Sequence, residues 1–159
     1  MVLKIKRGFT LVEISVAIAL LAVLFIVIVL IINPTEYKQK SLDTKRVLHI
    51  SKLYEAITEH KLKNGVYPGD KNKLYVSTVS HSTSLTNPSY GWIEADLSEF
   101  LQIQPIDPVN TEPHVYKYIH TETDFELNAV LQNNINAMVN DKGNNNLIFE
   151  MGTDLELLN

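Results

Sequence analysis

One carboxylate stands near the start of a long apolar segment. Glu13 follows Phe9 by four residues, and it is the only charged side chain between Phe9 and Ile32. An ionised carboxylate in hydrocarbon is costly unless it pairs with a cation or reaches the membrane interface. The chemistry open to Glu13 is therefore ion pairing, or snorkelling to the lipid headgroups, where a negative charge also suits the start of a helix.

The Gly8–Phe9 peptide bond is the second place where chemistry is expected. Gly8 ends a short leader with three basic residues. A glycine lets the backbone enter a narrow protease cleft, although it would equally serve as a flexible hinge before a helix. Cleavage after Gly8 would create one new cation, the amine of Phe9, on the same helix face as Glu13 and one turn away.

The segment around these residues predicts a membrane-spanning helix. Ile14–Ile32 contains Ser15 as its only polar residue. Together with Phe9–Val12 it reaches about 24 residues, or about 35 Å of helix, which is enough to cross hydrocarbon. A secretory signal peptide would have a shorter apolar run and a small-residue cleavage site, which Ile31–Pro34 lacks. A plain signal anchor remains as an alternative.

The heptapeptide Arg7–Glu13 (Arg-Gly-Phe-Thr-Leu-Val-Glu), followed by the apolar helix, resembles the class III signal of type IV pilins and type II secretion pseudopilins. The resemblance implies that a prepilin peptidase cleaves between Gly8 and Phe9, that the new amine of Phe9 is methylated, and that the amino terminus starts inside the cell. It also implies assembly through the N-terminal helices, with the Phe9 amine of one subunit paired with Glu13 of a neighbour.

Helical periodicity resumes after Asn33-Pro34. The pattern predicts one helix from about Phe9 to about Leu62, kinked near Pro34, with a stop at Lys63–Gly65. Its second half is amphipathic. The predicted core side carries Val47, Ile50, Leu53, Tyr54 and Ile57, and the predicted polar side carries Asp43, Lys45, Arg46, Lys52 and Glu55.

The remainder of the chain predicts a small antiparallel sheet. The turns Asn64–Pro68 and Pro105–Asn110 resemble those that close the long helix and precede the sheet in pilins and pseudopilins. Thr121–Asp124 suits a hairpin link, and Lys73–Asn87 suits a loop with one short strand. Glu94–Leu101 is predicted to form a short helix. Alternating patterns predict three strands. The predicted strands are Val115–Ile119, Phe125–Leu131 and Leu147–Met151.

The expected fold class is therefore α+β, with a long N-terminal helix packed on a small antiparallel sheet, as in pilins. The expected division of the chain is a leader at 1–8, a transmembrane and filament-core helix at 9–32, an amphipathic half-helix at 33–64 and a globular β-rich domain at 65–159.

Composition excludes several functions. Removing the leader takes three of the 14 basic residues and leaves 11 against 18 acidic ones, so direct binding of nucleic acid by the mature chain is not expected. There is no cysteine, hence no disulfide. The five histidines lack metal-ligand spacing, and the sequence has no P-loop, Gly-x-Ser-x-Gly or His-Glu-x-x-His motif. No enzymatic activity is expected.

Two loops concentrate oxygen ligands of the kind calcium accepts. The candidate ligands are Asp107, in the first loop, and Asp141 and Asn144, in the Asn/Gly-rich second loop. Major pseudopilins, which this chain resembles, bind calcium in a carboxy-terminal loop. An ordinary Asn/Gly turn explains the second loop at least as well, so the main expectation is that the chain needs no cofactor.

The sequence thus predicts a structural prepilin: a single-pass membrane precursor that becomes part of a cell-surface or periplasmic filament. The expected partners are other copies of itself, the prepilin peptidase and an assembly platform in the membrane. Two alternatives stay open, a major pseudopilin of a type II secretion or DNA-uptake machine and a signal-anchored extracytoplasmic binding module. Adhesion, motility, secretion and DNA uptake are not distinguished by these residues.

Overall fold

The computed structural model describes residues 8–31 and 33–158. The predicted leader lies outside these residues except for Gly8. The boundary between the two compact units of the chain falls between Tyr37 and Lys38. In chain order the elements are α1 (Leu11–Ile31), α2 (Pro34–Asn64), β1 (Tyr75–Val76), β2 (Tyr116–His120), β3 (Phe125–Ala129), α3 (Ile135–Asn140) and β4 (Phe149–Gly152).

Helix α1 is exposed on all sides from Leu11 to Val29, and it is apolar apart from Glu13 and Ser15. Within the described residues, its segment Leu11–Val29 is the single helix long and apolar enough to cross a membrane, with a mean hydropathy of 3.0 and no buried residue. A helix without a polar face cannot lie on a soluble core and keep its other side in water. The pattern is that of a membrane span, as the sequence predicts.

The helical region is divided into two helices at Asn33. The Oδ1 atom of Asn33 accepts a hydrogen bond from the N–H of Glu36 (3.4 Å), and its carbonyl accepts one from Tyr37 (3.2 Å). Pro34 is the first residue of α2, where its missing N–H costs nothing. Asn33 is therefore the N-cap of α2. The long N-terminal helix expected from the sequence is present as α1 continuing into α2, and the division between them falls at the kink predicted near Pro34.

Helix α2 buries one face against the sheet. Ile50, Leu53 and Ile57 are each 0 % exposed and belong to the hydrophobic core. The helix ends at Asn64, and Gly65 follows with φ +78° and donates its N–H to the carbonyl of Lys61 (2.9 Å). This positive φ is the reason a glycine stands there.

The four strands form one antiparallel sheet in the order β1-β2-β3-β4. The tight link between β2 and β3 is closed by a hydrogen bond from the N–H of Thr121 to the carbonyl of Asp124 (2.7 Å). Leu127, in β3, lies in the same core as the buried face of α2, so the sheet packs on that helix. The predicted α+β fold and the predicted hairpin are confirmed.

Two local predictions are wrong, and one element was missed. Glu94–Leu101 forms bends and a turn instead of a helix, and α3 was not predicted at all. Asp43 and Arg46, expected on the polar side of the amphipathic helix, are 1 % and 0 % exposed. Both side chains can be buried because Arg46 forms ion pairs with Asp43 and with a third residue described below.

Candidate functional site

The first turn of α1 holds Glu13 in a reciprocal cap with Thr10. The Oε2 atom of Glu13 accepts hydrogen bonds from the backbone N–H (2.7 Å) and the hydroxyl (2.8 Å) of Thr10. The N–H of Glu13 donates in return to the hydroxyl oxygen of Thr10 (3.2 Å). Thr10 is thus the N-cap and Glu13 the third helical residue of a capping box. The carboxylate is oriented within its own chain, and its Oε1 atom is not used in these bonds.

Gly8 and Phe9 lie immediately before this cap. A Cβ atom built on Gly8 would meet no other atom within 4 Å, and the Phe9 side chain is 85 % exposed. The peptide bond between them is therefore accessible within the described residues. Phe9 and Glu13 are both exposed, so this end of α1 presents an apolar ring and a carboxylate together.

Residues 3–29 match the family model of the prokaryotic N-terminal methylation motif. The match spans Gly8, Phe9 and Glu13 and continues through most of α1. The chain carries the type IV pilin and pseudopilin signature. In this class the motif directs processing by a prepilin peptidase and assembly into filaments, and it points to a structural protein anchored as a precursor by its apolar helix. The comparisons with curated proteins and with solved structures found no significant match.

Asp107, one of the predicted calcium ligands, is occupied by protein donors. Its Oδ2 atom accepts from Nε of Arg46 (2.7 Å) and its Oδ1 atom from Nη2 of the same guanidinium (3.2 Å). The N–H groups of Val109 (2.8 Å) and Asn110 (3.3 Å) also donate to Oδ1. Both oxygens of Asp107 are thus engaged in a bidentate ion pair that closes the turn.

Asp141 and Asn144, the other two candidates, lie in the loop that leads to β4. Asp141 accepts hydrogen bonds from the N–H of Gly143 (2.9 Å) and from the N–H of Glu150 (2.9 Å). The described residues contain no group of three or more His, Cys, Asp or Glu side chains placed to hold a metal ion. Calcium binding at Asp107, Asp141 and Asn144 stays a prediction.

A buried charge cluster, which sequence reasoning missed, anchors α2 to two loops. Arg46 bonds Asp107 and also Asp43 (3.0 Å to Oδ1), and all three side chains are almost fully buried. The Asp43 carboxylate also accepts the backbone N–H groups of three consecutive residues, Gln132, Asn133 and Asn134. The sequence held one signal of this cluster: Asp43 and Arg46 are three residues apart, which places them on one helix face.

Two buried carboxylates on the sheet were also missed. Glu126 in β3 is 0 % exposed and Glu150 in β4 is 2 % exposed. Burial raises the pKa of Glu126 to about 7, and the nearby charge of Glu150 adds to this rise against the lowering effect of its hydrogen bonds. Burial likewise raises the pKa of Glu150. The sequence analysis assigned Glu126 to a strand but to neither face of it, and strand alternation gives no sign that Leu157 and Leu158 donate hydrogen bonds to this carboxylate.

Proposed function

We propose that this protein is a structural prepilin that is cleaved after Gly8, methylated at Phe9 and polymerised through α1 into a type IV pilus-like filament. The observation that carries the proposal is the coincidence of the matched motif with an apolar helix that has Glu13 one turn after Phe9 and no buried residue from Leu11 to Val29. Such a helix needs an apolar surrounding, which lipid supplies before assembly and other copies of α1 supply afterwards.

The charge of Glu13 gives assembly its register. Within one subunit, the cleaved Phe9 amine and Glu13 lie about one helical turn apart. A neighbouring subunit displaced along the helix axis brings its Phe9 amine to this Glu13, which pairs a costly carboxylate with the cation that cleavage creates. Thr10 binds only Oε2 of Glu13, which leaves Oε1 for the amine.

The proposed location is supported by the apolar helix, and the proposed orientation by the resemblance of the leader to prepilin leaders. The precursor is a single-pass protein of the cytoplasmic membrane with its amino terminus inside, and the β-rich domain faces outward. After extraction the apolar helices form the filament core. The partners are the prepilin peptidase, the assembly platform and other copies of the chain. A major pseudopilin of a secretion or DNA-uptake machine uses the same device and differs in the length and place of the filament.

Mass spectrometry of the mature amino terminus tests the proposal. We expect a chain that begins at an N-methylated Phe9. A retained leader, residues 1–8, would overturn the filament assignment in favour of a signal-anchored binding module. Electron microscopy of the cell surface then distinguishes long pili from short pseudopili.

Two substitutions at Glu13 separate its charge from its capping role. Glu13→Gln removes the charge but keeps an oxygen that accepts from Thr10, whereas Glu13→Ala removes both. Both variants should insert into the membrane, because an apolar helix remains. We expect both to lose filament assembly, measured as sheared filament protein. Assembly by Glu13→Gln at the level of the unsubstituted protein would show that capping, and not ion pairing, is what Glu13 supplies.

A further inference from the structure

Helix α3 presents two apolar side chains, which we name the α3 face (Ile135 and Val139), to its surroundings. Ile135 is 62 % exposed and Val139 is 50 % exposed. They are four residues apart, so they lie on one side of the helix. Met138, between them in the chain, is buried in the hydrophobic core. The helix thus already has its apolar contact with the domain, and the α3 face is available to another partner.

Hydrogen bonds hold α3 in place at both ends. Before its start, the backbone N–H of Asn133 donates to Oδ2 of Asp43 (2.7 Å), and Nδ2 of Asn133 donates to Oε1 of Gln39 (2.6 Å). After its end, Asp141 accepts the N–H of Glu150 in β4 (2.9 Å). The α3 face is therefore a fixed feature of the folded domain, and it lies beside the first three turns of α2.

These turns of α2 follow closely after the membrane span in the chain. The span ends at Val29, α1 ends at Ile31 and α2 begins at Pro34. A helical residue rises about 1.5 Å and an extended residue adds at most about 3.6 Å, so the chain from Val29 to Gln39 reaches about 22 Å at most. The headgroup layer alone is about 5–8 Å thick on each side of the hydrocarbon. The covalent connection therefore keeps this end of the domain within reach of the membrane surface.

The charges near α3 suit an anionic surface. Lys38 and Lys45 on the first turns of α2 are exposed, and so is Lys142, which follows α3. The carboxylates that hold α3 are engaged, because Asp43 is buried in its ion pair and Asp141 accepts two backbone N–H groups. Apolar side chains flanked by lysines are typical of segments that bind at the interface of anionic membranes.

A lipid surface fits the α3 face better than a second protein does. A stable protein–protein interface takes about 800 Å² from each partner, which two side chains do not supply. A lipid contact requires less area, because the span already holds the domain at a high effective concentration near the membrane. Tyr37, in the first turn of α2, is exposed and is of a residue type enriched at membrane interfaces.

We propose that the α3 face inserts between the headgroups of the membrane that α1 spans, and that Lys142 and the exposed lysines of the first turns of α2 contact anionic phospholipids. The contact holds one end of the folded domain on the membrane surface. It requires only that α1 lies in a membrane, so it goes beyond the proposed assembly into a filament.

Fluorescence quenching of the full chain in nanodiscs tests this contact. The sequence has no cysteine, so one introduced cysteine carries a dye at a chosen position. A dye at Ile135→Cys or Val139→Cys should lose fluorescence when the lipid headgroups carry a nitroxide. Val66→Cys is the matched control, because Val66 is 59 % exposed but follows the opposite end of α2, and its dye should keep its fluorescence. Val29→Cys, in the span, should be quenched by nitroxides on the acyl chains.

Two results of this experiment would overturn the proposal. In the first, the dye at Ile135→Cys or Val139→Cys is quenched no more than the dye at Val66→Cys, which means that the α3 face stays in water. In the second, all three dyes are quenched equally and strongly, which means that the whole domain lies along the membrane without a specific contact at α3.

The composition of the nanodiscs tests the role of charge. Quenching at Ile135→Cys should be greater with phosphatidylglycerol mixed into phosphatidylcholine than with phosphatidylcholine alone, and salt should reduce the difference. Lys142→Glu should also reduce it, whereas Lys52→Glu, at an exposed position farther along α2, should not. Equal quenching in both lipids would contradict the contact with anionic phospholipids.

Nanodiscs that hold one chain each separate the lipid from a second copy of the chain. Quenching at Ile135→Cys should persist in them. If the dye there stays open to iodide in water, and becomes shielded only when two or more chains share a disc, the α3 face binds another copy and the lipid contact is overturned. Since these discs hold single chains, the result is independent of whether the protein forms filaments.

Discussion

At the scale of single residues, Arg46 is a fully buried cation that holds two buried carboxylates. It is the one cation buried with Asp43 and Asp107, and it joins α2 to the turn that contains Asp107. The guanidinium meets the Asp107 carboxylate with two parallel bonds, which a lysine could not reproduce. Burial of Arg46 lowers its pKa, but the hydrogen bonds and charges of Asp107 and Asp43 outweigh this effect, so the pKa of Arg46 is raised.

Arg46→Met tests the importance of this cluster. Methionine fills similar space but leaves two buried carboxylates without their cation. We expect the free energy of unfolding, measured by chemical denaturation, to fall by about 3–5 kcal/mol. This is the usual cost of removing one partner of a buried ion pair. Lys45→Ala, at an exposed neighbouring position, is the control and should change stability by less than about 0.5 kcal/mol.

A double variant identifies the cause of that loss. In Arg46→Met with Asp107→Asn, one of the two unpaired charges is removed, and part of the lost stability should return. If the double variant were as unstable as the sum of its single substitutions, the cost would lie in packing and not in uncompensated charge.

At the scale of elements, the order of the long helix and the sheet strands was predictable from the sequence, whereas the structure of two short segments was not. The apolar run, the helix stop at Gly65 and the strand alternation follow from periodicity and backbone chemistry, which act locally. Glu94–Leu101 has helical spacing, yet the side chain of Gln104 bonds the N–H (2.8 Å) and the carbonyl (3.0 Å) of Ile93 and holds this region in turns. A contact eleven residues away cannot be inferred from spacing.

Helix α3 is the opposite case, a helix that is present but was not predicted, because it is short and lies in an Asn-rich stretch. Its N-cap Asn134 accepts from the N–H of Ala137, and Met138 is buried. Asn134 is also fixed by its own N–H, which donates to Asp43 (3.0 Å). The helix is thus positioned by a buried carboxylate on α2, which the local sequence does not reveal. At the candidate site, by contrast, Thr10 and Glu13 lie only three positions apart in one motif, so their capping geometry depends on local sequence alone.

The end of α2 allows a prediction at this scale. Gly65→Ala places a Cβ in open space, since no atom lies within 4 Å, so any cost comes from the backbone at φ +78°. We expect the free energy of unfolding to fall by about 1 kcal/mol. Gly65→Asn is the matched control and should cost less, because asparagine tolerates this conformation better. Equal stability of the alanine variant and the unsubstituted chain would show that the last turn rearranges.

At the scale of the whole molecule, the chain combines two units with opposite solvent requirements. Helix α1 has no buried residue in Leu11–Val29, whereas every residue of the hydrophobic core lies between Ile50 and Phe149. The buried charge cluster begins at Asp43, so it too belongs to the second unit. The membrane segment and the folded domain are thus specified by separate parts of the sequence, which is why the signature could be recognised without knowledge of the domain.

This separation predicts that residues 33–159 fold without α1. The fragment retains Asn33 as the cap of α2 and all core residues, so in one common detergent its free energy of unfolding should match that of the full chain within about 0.5 kcal/mol. Without detergent, analytical ultracentrifugation should find the fragment monomeric and the full chain associated, because only the latter exposes an apolar helix. A fragment that lost cooperative unfolding would mean that the domain depends on contacts with the membrane helix.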